Sequence, residues 1–445
     1  MGSKATVHFR SLGCPKNQLD TEVMLGSLAL EGYAIAERLE DADVAVVNTC
    51  SFIESAREES IEAILEVADL RREGRLRGLV VTGCLPQRYG AELARELPEV
   101  DAFVGTGRFQ EIAPILDAAL AGRSRGVYVD AGRTHLYDER DPRIPIGPRH
   151  SAYVKIAEGC NRPCSFCAIP GIRGRFQSRD PESLLAEARQ LAEAGVREIN
   201  LVAQDSTAYG WDLPGRPSLA ELLRRLDTVE GLDWIRLLYV YPTAVTDELI
   251  EAIAGAKRVL PYVDVPLQHA SDAVLRAMKR GTSGADQRRL VERLRAGIPG
   301  LSLRTTLIVG FPGETEEDFQ ELCEFVRETR FDHLGAFRYS DEEGTAAFEY
   351  PDKVPREIAR DRHTKLISIQ AEIMRRRLHG RVGDEAVVLV DRAGERTASA
   401  RLASQAPEID GGILVRGQGL QPGDMARVWI TGVAGPDLEA DALGR

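Results

Sequence analysis

The chain has 445 residues, 43% of them hydrophobic and 28% charged, which is globular composition with length for roughly two to four domains. No window approaches the ~20 apolar residues of a membrane span and no charged-then-apolar signal sequence opens the chain, so it reads as cytoplasmic and free of the membrane. A net charge of −12 argues against broad electrostatic capture of nucleic acid, which needs a concentrated Lys/Arg surface, and fits a basic protein partner better.

Residues 4–120 repeat a strand–loop–helix unit. Apolar strands are predicted at Thr6–Phe9, Val44–Val47, Leu79–Val81 and Ala102–Val104, with helical periodicity over 18–31, 56–72 and 87–97. Alternation of this kind predicts a doubly wound parallel sheet. Cys14, Cys50 and Cys84 each fall just past a predicted strand, 36 and 34 residues apart. All strand ends of such a sheet share one edge, where ligands bind, so the three thiols are expected to converge. They read as ligands of a metal cluster with one position left open; zinc, or three unrelated buried cysteines, are the alternatives.

Residues 121–149, with Gly126, Gly132, Pro142, Pro145, Gly147 and Pro148 among charged residues, have the composition of a linker. A second series follows, with strands predicted at Tyr153–Ala157, Glu198–Val202, Ile235–Val240, Tyr262–Val265, Leu303–Val309 and His333–Phe337. Six βα units make an incomplete version of the eight-unit barrel, whose active site lies over the C-terminal strand ends. Just past the first of those strands stands Cys160-Asn161-Arg162-Pro163-Cys164-Ser165-Phe166-Cys167. Iron–sulfur clusters normally take four thiolates, so a run that supplies three leaves one iron open for chemistry. A structural zinc would want a fourth ligand nearby, and the next candidates are His269 and Cys323. Cys323 lies in the apolar helical stripe Phe319, Leu322, Cys323, Val326 and reads as core, and a lone His269 as structural. Arg375–Arg377 reads as a solvated helix face.

A long helix near Arg356–His379 exits to a last module, 380–445, of short alternating strands at Ala386–Val390, Thr397–Leu402, Ile413–Val415 and Ala426–Thr431. The pattern suggests a small antiparallel barrel related to the OB fold. Such barrels often bind RNA, yet this one holds 7 Arg and no Lys against 10 Asp and Glu.

The Cys160–Cys167 run, with Phe166 in an aromatic slot, resembles the signature of radical S-adenosylmethionine (SAM) enzymes. The order of parts resembles the methylthiotransferases over essentially the whole chain: an N-terminal three-cysteine domain (1–120), a linker (121–149), a partial (β/α)6 radical SAM barrel (150–379) and a TRAM-type barrel (380–445). Ser11-Leu12-Gly13-Cys14-Pro15-Lys16-Asn17, Cys167-Ala168-Ile169-Pro170 with Ile172-Arg173-Gly174, and Ala203-Gln204-Asp205-Ser206-Thr207-Ala208-Tyr209-Gly210 look like the ribosomal-protein branch. Pro266-Leu267-Gln268-His269-Ala270-Ser271-Asp272 and Gln405-Ala406-Pro407-Glu408-Ile409-Asp410-Gly411 point the same way.

That resemblance implies two 4Fe-4S clusters. Cys160, Cys164 and Cys167 would hold the one that cleaves SAM into methionine and a 5′-deoxyadenosyl radical, and Cys14, Cys50 and Cys84 an auxiliary one that handles sulfur. It implies a methylthio group added to the β-carbon of an aspartate in small-subunit ribosomal protein twelve, free or in the assembled subunit, with SAM as methyl donor and radical source. An external electron donor and a sulfur source would be needed. Gly310, in Gly310-Phe311-Pro312-Gly313-Glu314, resembles a glycine-bearing segment near the SAM adenine, and is equally a tight βα turn. Gln204 or Asp205 stands where many radical SAM enzymes carry an acidic segment that receives the methionine amino group. Gln268 and Arg304, near strand ends, are candidates to contact SAM or substrate or to support those that do; Phe166 faces the adenine or packs the loop. The competing readings are a tRNA adenosine methylthiotransferase, which predicts a basic terminal barrel, a radical SAM enzyme whose auxiliary cluster only relays electrons, and a non-enzymatic zinc-containing ribosome- or RNA-binding factor.

Overall fold

Val44–Thr49 (β3) and Gly78–Gly83 (β4) are buried along their whole length, the condition of strands covered by helices on both faces. The computed structural model describes residues 4–122, 126–130 and 135–443, and places β3 and β4 in the middle of a six-stranded parallel sheet. Its other strands are β1 (Thr6–Ser11), β2 (Ala34–Ile35), β5 (Ala102–Val104) and β6 (Gly126–Tyr128), in the order β2-β1-β3-β4-β5-β6. Helices α1 (Pro15–Leu30) and α4 (Ile112–Leu120) pack on one face through Leu19, Val23, Leu116 and Val46. On the other face lie α2 (Glu54–Arg72) and α3 (Cys84–Glu96), packed through Ile64, Val67, Leu93 and Val81.

Two strands of this sheet are too short, at two and three residues, to stand out in the sequence. One is β2; the other is β6, which pairs with β5 from inside the stretch of linker composition. Arg143, near the end of that stretch, is anchored as well. Arg143 bonds Glu22 of α1, Glu187 Oε1 at 2.6 Å and the Tyr153 carbonyl at 2.8 Å. Gly132 lies outside the described residues.

The second sheet is parallel and open, in the order β14-β13-β12-β11-β10-β7. Its strands are β7 (Ser151–Lys155), β10 (Glu198–Val202), β11 (Trp234–Leu237), β12 (Val259–Asp264), β13 (Ser302–Val309) and β14 (His333–Arg338). A two-stranded antiparallel ribbon, β8 (Ala157–Glu158) with β9 (Gln177–Ser178), brackets the loop that carries Cys160–Cys167 and the short helix α5 (Ile169–Arg173). Between the strands run α6 (Pro181–Glu193), α7 (Leu219–Leu226), α8 (Asp247–Ala254), α9 (Asp272–Ala277), α10 (Gly284–Gly297) and α11 (Glu316–Thr329), and α12 (Arg356–His379) exits. All six intervening helices begin with a side-chain cap, from Asp180, Ser218, Thr246, Ser271, Ser283 and Thr315, which satisfies N–H groups that the first turn leaves open. Cys323 is fully buried in the core beside Leu322 and Phe325, as its stripe predicted.

The last module is a closed barrel in the order β15-β16-β17-β19-β18, formed by Glu385–Ala393, Thr397–Leu402, Ile413–Arg416, Asp437–Ala442 and Met425–Ala434. The fifth strand, β19, has too little apolar character to stand out in the sequence. It closes the barrel with one parallel pairing, to β17, while the other pairings are antiparallel. Its β16–β17 loop enters the N-terminal end of the larger barrel. Arg236 donates to the Ala403 carbonyl at 2.8 Å, Tyr262 OH donates to Asp410 Oδ2 at 2.7 Å, and Ala406 is buried in one cluster with Tyr153, Trp234 and Tyr262. Beside it, Glu198 pairs with Arg401 at 2.7 Å and with Arg236 at 3.0 Å, all three buried. Among the described residues no helix is long and apolar enough to cross a membrane.

Burial alone would push the Glu198 carboxyl up, but Arg401 and Arg236 outweigh it and hold it down at about 2. A carboxyl with its folded value below its unfolded one stabilises fully above the unfolded value of about 4.3, and loses that contribution as pH falls toward 2. Glu198→Gln leaves two buried guanidiniums with a neutral partner. It is expected to cost about 3 kcal/mol at neutral pH and to remove part of the loss of stability between pH 4.5 and 2; thermal melts of both proteins across that range check it.

Candidate functional site

The three N-terminal cysteines reach one edge of the first sheet by different local means. Cys14 precedes α1, whose start is fixed by Pro15 at its first turn. Cys50 follows β3 and is tied to α2, its N–H donating to Ser60 Oγ at 3.0 Å while that hydroxyl donates to the Cys50 carbonyl at 2.8 Å. Cys84 opens α3 directly after β4. The loops touch: a Cβ on Gly13 would lie 2.8 Å from Cys50 Cβ. Asn17 crosses between them, donating to the carbonyls of Leu12 at 3.1 Å and Thr49 at 2.8 Å, with its Oδ1 3.6 Å from Cys84 Sγ. Burial, with the other two thiols close by, pushes Cys50 up to about 12, and burial raises Cys84 against the pull of Arg173.

Cys160, Cys164 and Cys167 sit on the loop after β8, at the C-terminal end of the barrel. Burial lifts Cys160, and burial with the neighbouring Cys164 and Cys160 lifts Cys167 to about 12. The loop is braced by cations. Arg280 donates to Cys164 Sγ at 3.3 Å and Arg162 pairs with Asp205 Oδ2 at 2.6 Å. Both guanidiniums lie over the Tyr241 ring, at 4.3 and 4.0 Å, where the ring face attracts positive charge. A cleft of 410 Å³ opens beside Cys160, Asn161, Arg162 and Gly174. A larger cavity of 930 Å³ lies at the opposite, N-terminal end of β7, lined by His150, Arg197 and Asp391, and is remote from both sets of thiols.

Four buried charges clamp the two edges together. Lys155 Nζ binds Asp20 Oδ1 and Glu158 Oε2, each at 2.6 Å; Arg173 binds Asp20 Oδ2 at 2.6 Å and Glu158 at 3.3 Å. Arg173 also bonds Asn17 and reaches Cys84 Sγ at 3.5 Å. One guanidinium, carried between the Cys160–Cys167 loop and β9, therefore touches the other thiol set. Burial works to raise the Glu158 carboxyl, and Lys155 and Arg173 prevail, holding it at about 2.

The remaining sequence candidates fall in different places. Asp205 is buried and held by Arg162 and by Thr207 Oγ1 at 2.6 Å. Gln204 donates to Glu158, leaving its Oε1 buried with no donor among the described residues; Gln268 Oε1 is in the same condition. Gln268 adopts a left-handed backbone, φ 74, just past β12. Phe166 packs against Phe311, ring centroids 6.5 Å apart. Gly310 lies against Ala359 of α12 and donates its N–H to Glu314 Oε2 at 2.7 Å. His269 is buried and its Nδ1 accepts from the Ser271 N–H at 3.1 Å. Arg304 lies near the N-terminal end of β13, engaged by Asp264 at 3.1 Å and Asp410 at 3.4 Å. The interior of the barrel is polar enough at that level to require a cation, which a strand-level reading does not register.

The donor sets suit iron–sulfur clusters with an open position: two groups of three buried or half-buried cysteines, each with a cation against a thiol, and orphaned amide acceptors nearby. Among the described residues no three His, Cys, Asp or Glu side chains close on a single ion. The sequence assigns no chemical role to Lys16, Asp20, Lys155, Glu158, Arg162, Tyr239, Tyr241 or Arg280. The available signal was charge inside or beside apolar strands and cysteine motifs, as in Tyr153-Val154-Lys155-Ile156.

Residues 154–326 match the Radical SAM superfamily, residues 6–105 Uncharacterized protein family UPF0004, and residues 382–443 the TRAM domain. The chain is 49% identical over 444 residues to the ribosomal protein uS12 methylthiotransferase RimO of Geobacter sulfurreducens, covering 99% of each. It is 51% identical to the protein of the same name from Anaeromyxobacter sp. (strain K), covering 99% of this chain and 93% of that one. Among solved structures, the radical SAM methyltransferase TsrM from Kitasatospora setae matches at a TM-score of 0.54 and 18% identity, over 76% of this chain and 75% of that one. The cobalamin-dependent SAM radical enzyme OxsB matches at a TM-score of 0.54 and 15% identity, over 84% and 56%; both likenesses are of fold.

Gly159, φ 78, precedes Cys160, and a Cβ there would lie 2.3 Å from the Arg175 carbonyl oxygen. Gly159→Ala is expected to push the cysteine loop off Arg175 and to destabilise by about 1–3 kcal/mol; a thermal melt at the wild-type midpoint would contradict that contact.

Proposed function

The chain belongs to the ribosomal protein uS12 methylthiotransferase (RimO) family, and from that premise we propose that it replaces one β C–H bond of an aspartate in uS12 by C–S–CH3 through two separate cluster sites. It is a radical SAM methylthiotransferase, and iron–sulfur chemistry and SAM come with the family. The observation that carries the two-site reading is the pair of three-thiol edges joined by Arg173. When bound, SAM on an open iron and one electron supply the radical that a C–H bond without an acidic proton requires.

In this reading Cys160, Cys164 and Cys167 hold the SAM-cleaving cluster and Cys14, Cys50 and Cys84 the auxiliary one. Arg280 and Arg162 offset the thiolate charge on the barrel side, and Arg173 does so on the sheet side. The orphaned Oε1 atoms of Gln204 and Gln268 can accept from the SAM ammonium or hydroxyls. Asp205 supports the loop through Arg162; Phe166 packs its base, Gly310 sets the turn beneath, and Arg304 acts as an interior brace. Residues 1–120 form the sulfur-handling unit, 150–379 the radical unit and 380–445 the TRAM unit, with 121–149 joining the first two. The electron donor and the sulfur source are external. A ribosomal-protein substrate, free or in the small subunit, puts the work in the cytoplasm.

The test is an anaerobic competition in which cluster-loaded protein receives SAM, reductant and sulfide together with a uS12 loop peptide and total tRNA, both then examined by mass spectrometry. A methylthio adduct on the peptide aspartate alone is expected; an adduct on tRNA adenosine alone would overturn the substrate. Loaded protein should carry about eight irons, and about four after Cys14, Cys50 and Cys84 are changed together to Ala. That variant is expected to cleave SAM without forming the adduct, whereas Cys160→Ala loses both.

A further inference from the structure

Lys16 is a charged group of the sheet edge that the clamp leaves over. Asp20 and Glu158 are two anions, and Lys155 and Arg173 are two cations that bind both of them. The Lys16 ammonium, in a residue only 7% exposed, makes no ion pair among the described residues. It stands instead over the face of Tyr239, 3.4 Å from the ring centroid. A desolvated cation without an anion is costly, and a ring face offsets only part of that. Tyr239 is itself built into place. It follows β11 with a left-handed backbone, φ 61, its N–H donating to Asp264 Oδ2 at 3.1 Å and its carbonyl accepting from the Ser206 N–H at 3.0 Å. Non-glycine residues persist in that region only where their surroundings over-determine them, and such positions cluster at ligand clamps. The ammonium comes from the sheet edge, two residues past Cys14, and the ring comes from the barrel.

We propose that Lys16, backed by Tyr239, is the site that receives the side-chain carboxylate of the substrate aspartate; this rests on the reading of uS12 as substrate. The carboxylate would supply the anion that Lys16 lacks, and its carbon is bonded directly to the β-carbon that reacts, so fixing the one places the other. A buried ammonium also discriminates: an asparagine in the same position brings no charge and leaves the cation unpaired, the kind of mismatch that polar sites reject most strongly. The surplus charge thus selects aspartate over its amide.

The test uses cluster-loaded protein with SAM and no reductant, and two fluorescent uS12 loop peptides that differ only by Asp or Asn at the target position. Wild type is expected to bind the Asp peptide at least about tenfold more tightly. Lys16→Met should bring the ratio within about twofold by weakening the Asp peptide, with iron and sulfide per chain unchanged, and Lys16→Arg should restore part of the preference. A preference that survives Lys16→Met, or that wild type never shows, overturns the assignment. So does loss of iron in Lys16→Met, which would assign the ammonium to the cluster's charge. Modification of tRNA in place of the Asp peptide by the wild-type protein is a separate result, and removes the substrate reading on which this rests.

Discussion

The pairing of Asp20 on α1 with Lys155 and Arg173 on the barrel is the constraint from which the rest of the site follows. Buried ion pairs add little net stability, because desolvation takes back most of the Coulomb gain, but breaking one side strands a charge. Such a network therefore acts on register more than on depth of the energy minimum. Two apolar surfaces could slide by a residue at small cost; four interlocked charges cannot. Because Arg173 also reaches Asn17 and Cys84, the register of the sheet against the barrel and the spacing of the two thiol edges are one geometric fact. Arg143 extends the same logic outward, holding the connecting stretch to α1 and α6 at once.

The opposite end of the barrel faces a different difficulty. Six strands leave the interior open below, and the residues there include Glu198, Arg236, Tyr262 and Arg304, which would be unsatisfied against an apolar floor. The β16–β17 loop meets Arg236 with the Ala403 carbonyl and Tyr262 and Arg304 with the Asp410 carboxylate, its Ser404 carbonyl takes Ser302, and Arg401 of β16 meets Glu198. This consumes acidic groups of the terminal module: Asp410 turns toward Tyr262 and Arg304, and Asp391 toward His150 and Arg401. Part of that module's acidity is thus internal pairing between barrels, which composition cannot separate from surface charge.

The elements that were legible in the sequence are those with a strong period or an invariable chemical need. The strand at Glu198–Val202 and the helix at Arg356–His379 fall where their patterns put them, and the three cysteines spaced by whole βα units do end on one edge. Strands β2, β6 and β19 carried no such pattern; they form because a neighbour offers a free ladder. Helix α3 begins at Cys84, ahead of its predicted start at 87, since Gly83 with φ 100 turns the chain directly from strand into helix. The charge clamp was illegible for a further reason. Asp20 and Lys155 are 135 residues apart, and a lysine in a strand gives no sign of whether it faces solvent or a buried partner.

The chemistry sets its own demand on this arrangement. A single carbon must be brought within contact of the group that removes its hydrogen and then within contact of the group that delivers sulfur, and positioning of that quality is lost over about an ångström. Two such groups on independent domains would sample a range of separations. Here the cysteine-bearing loops are the ends of strands in two sheets locked by buried charge, and the residues that lie between them, Asn17, Arg173, Lys16 and Tyr239, are tied to one edge or the other. The gap between the thiol edges is therefore set before substrate arrives. What the substrate must provide is only a side chain short enough to fit it and an anion to complete its charge.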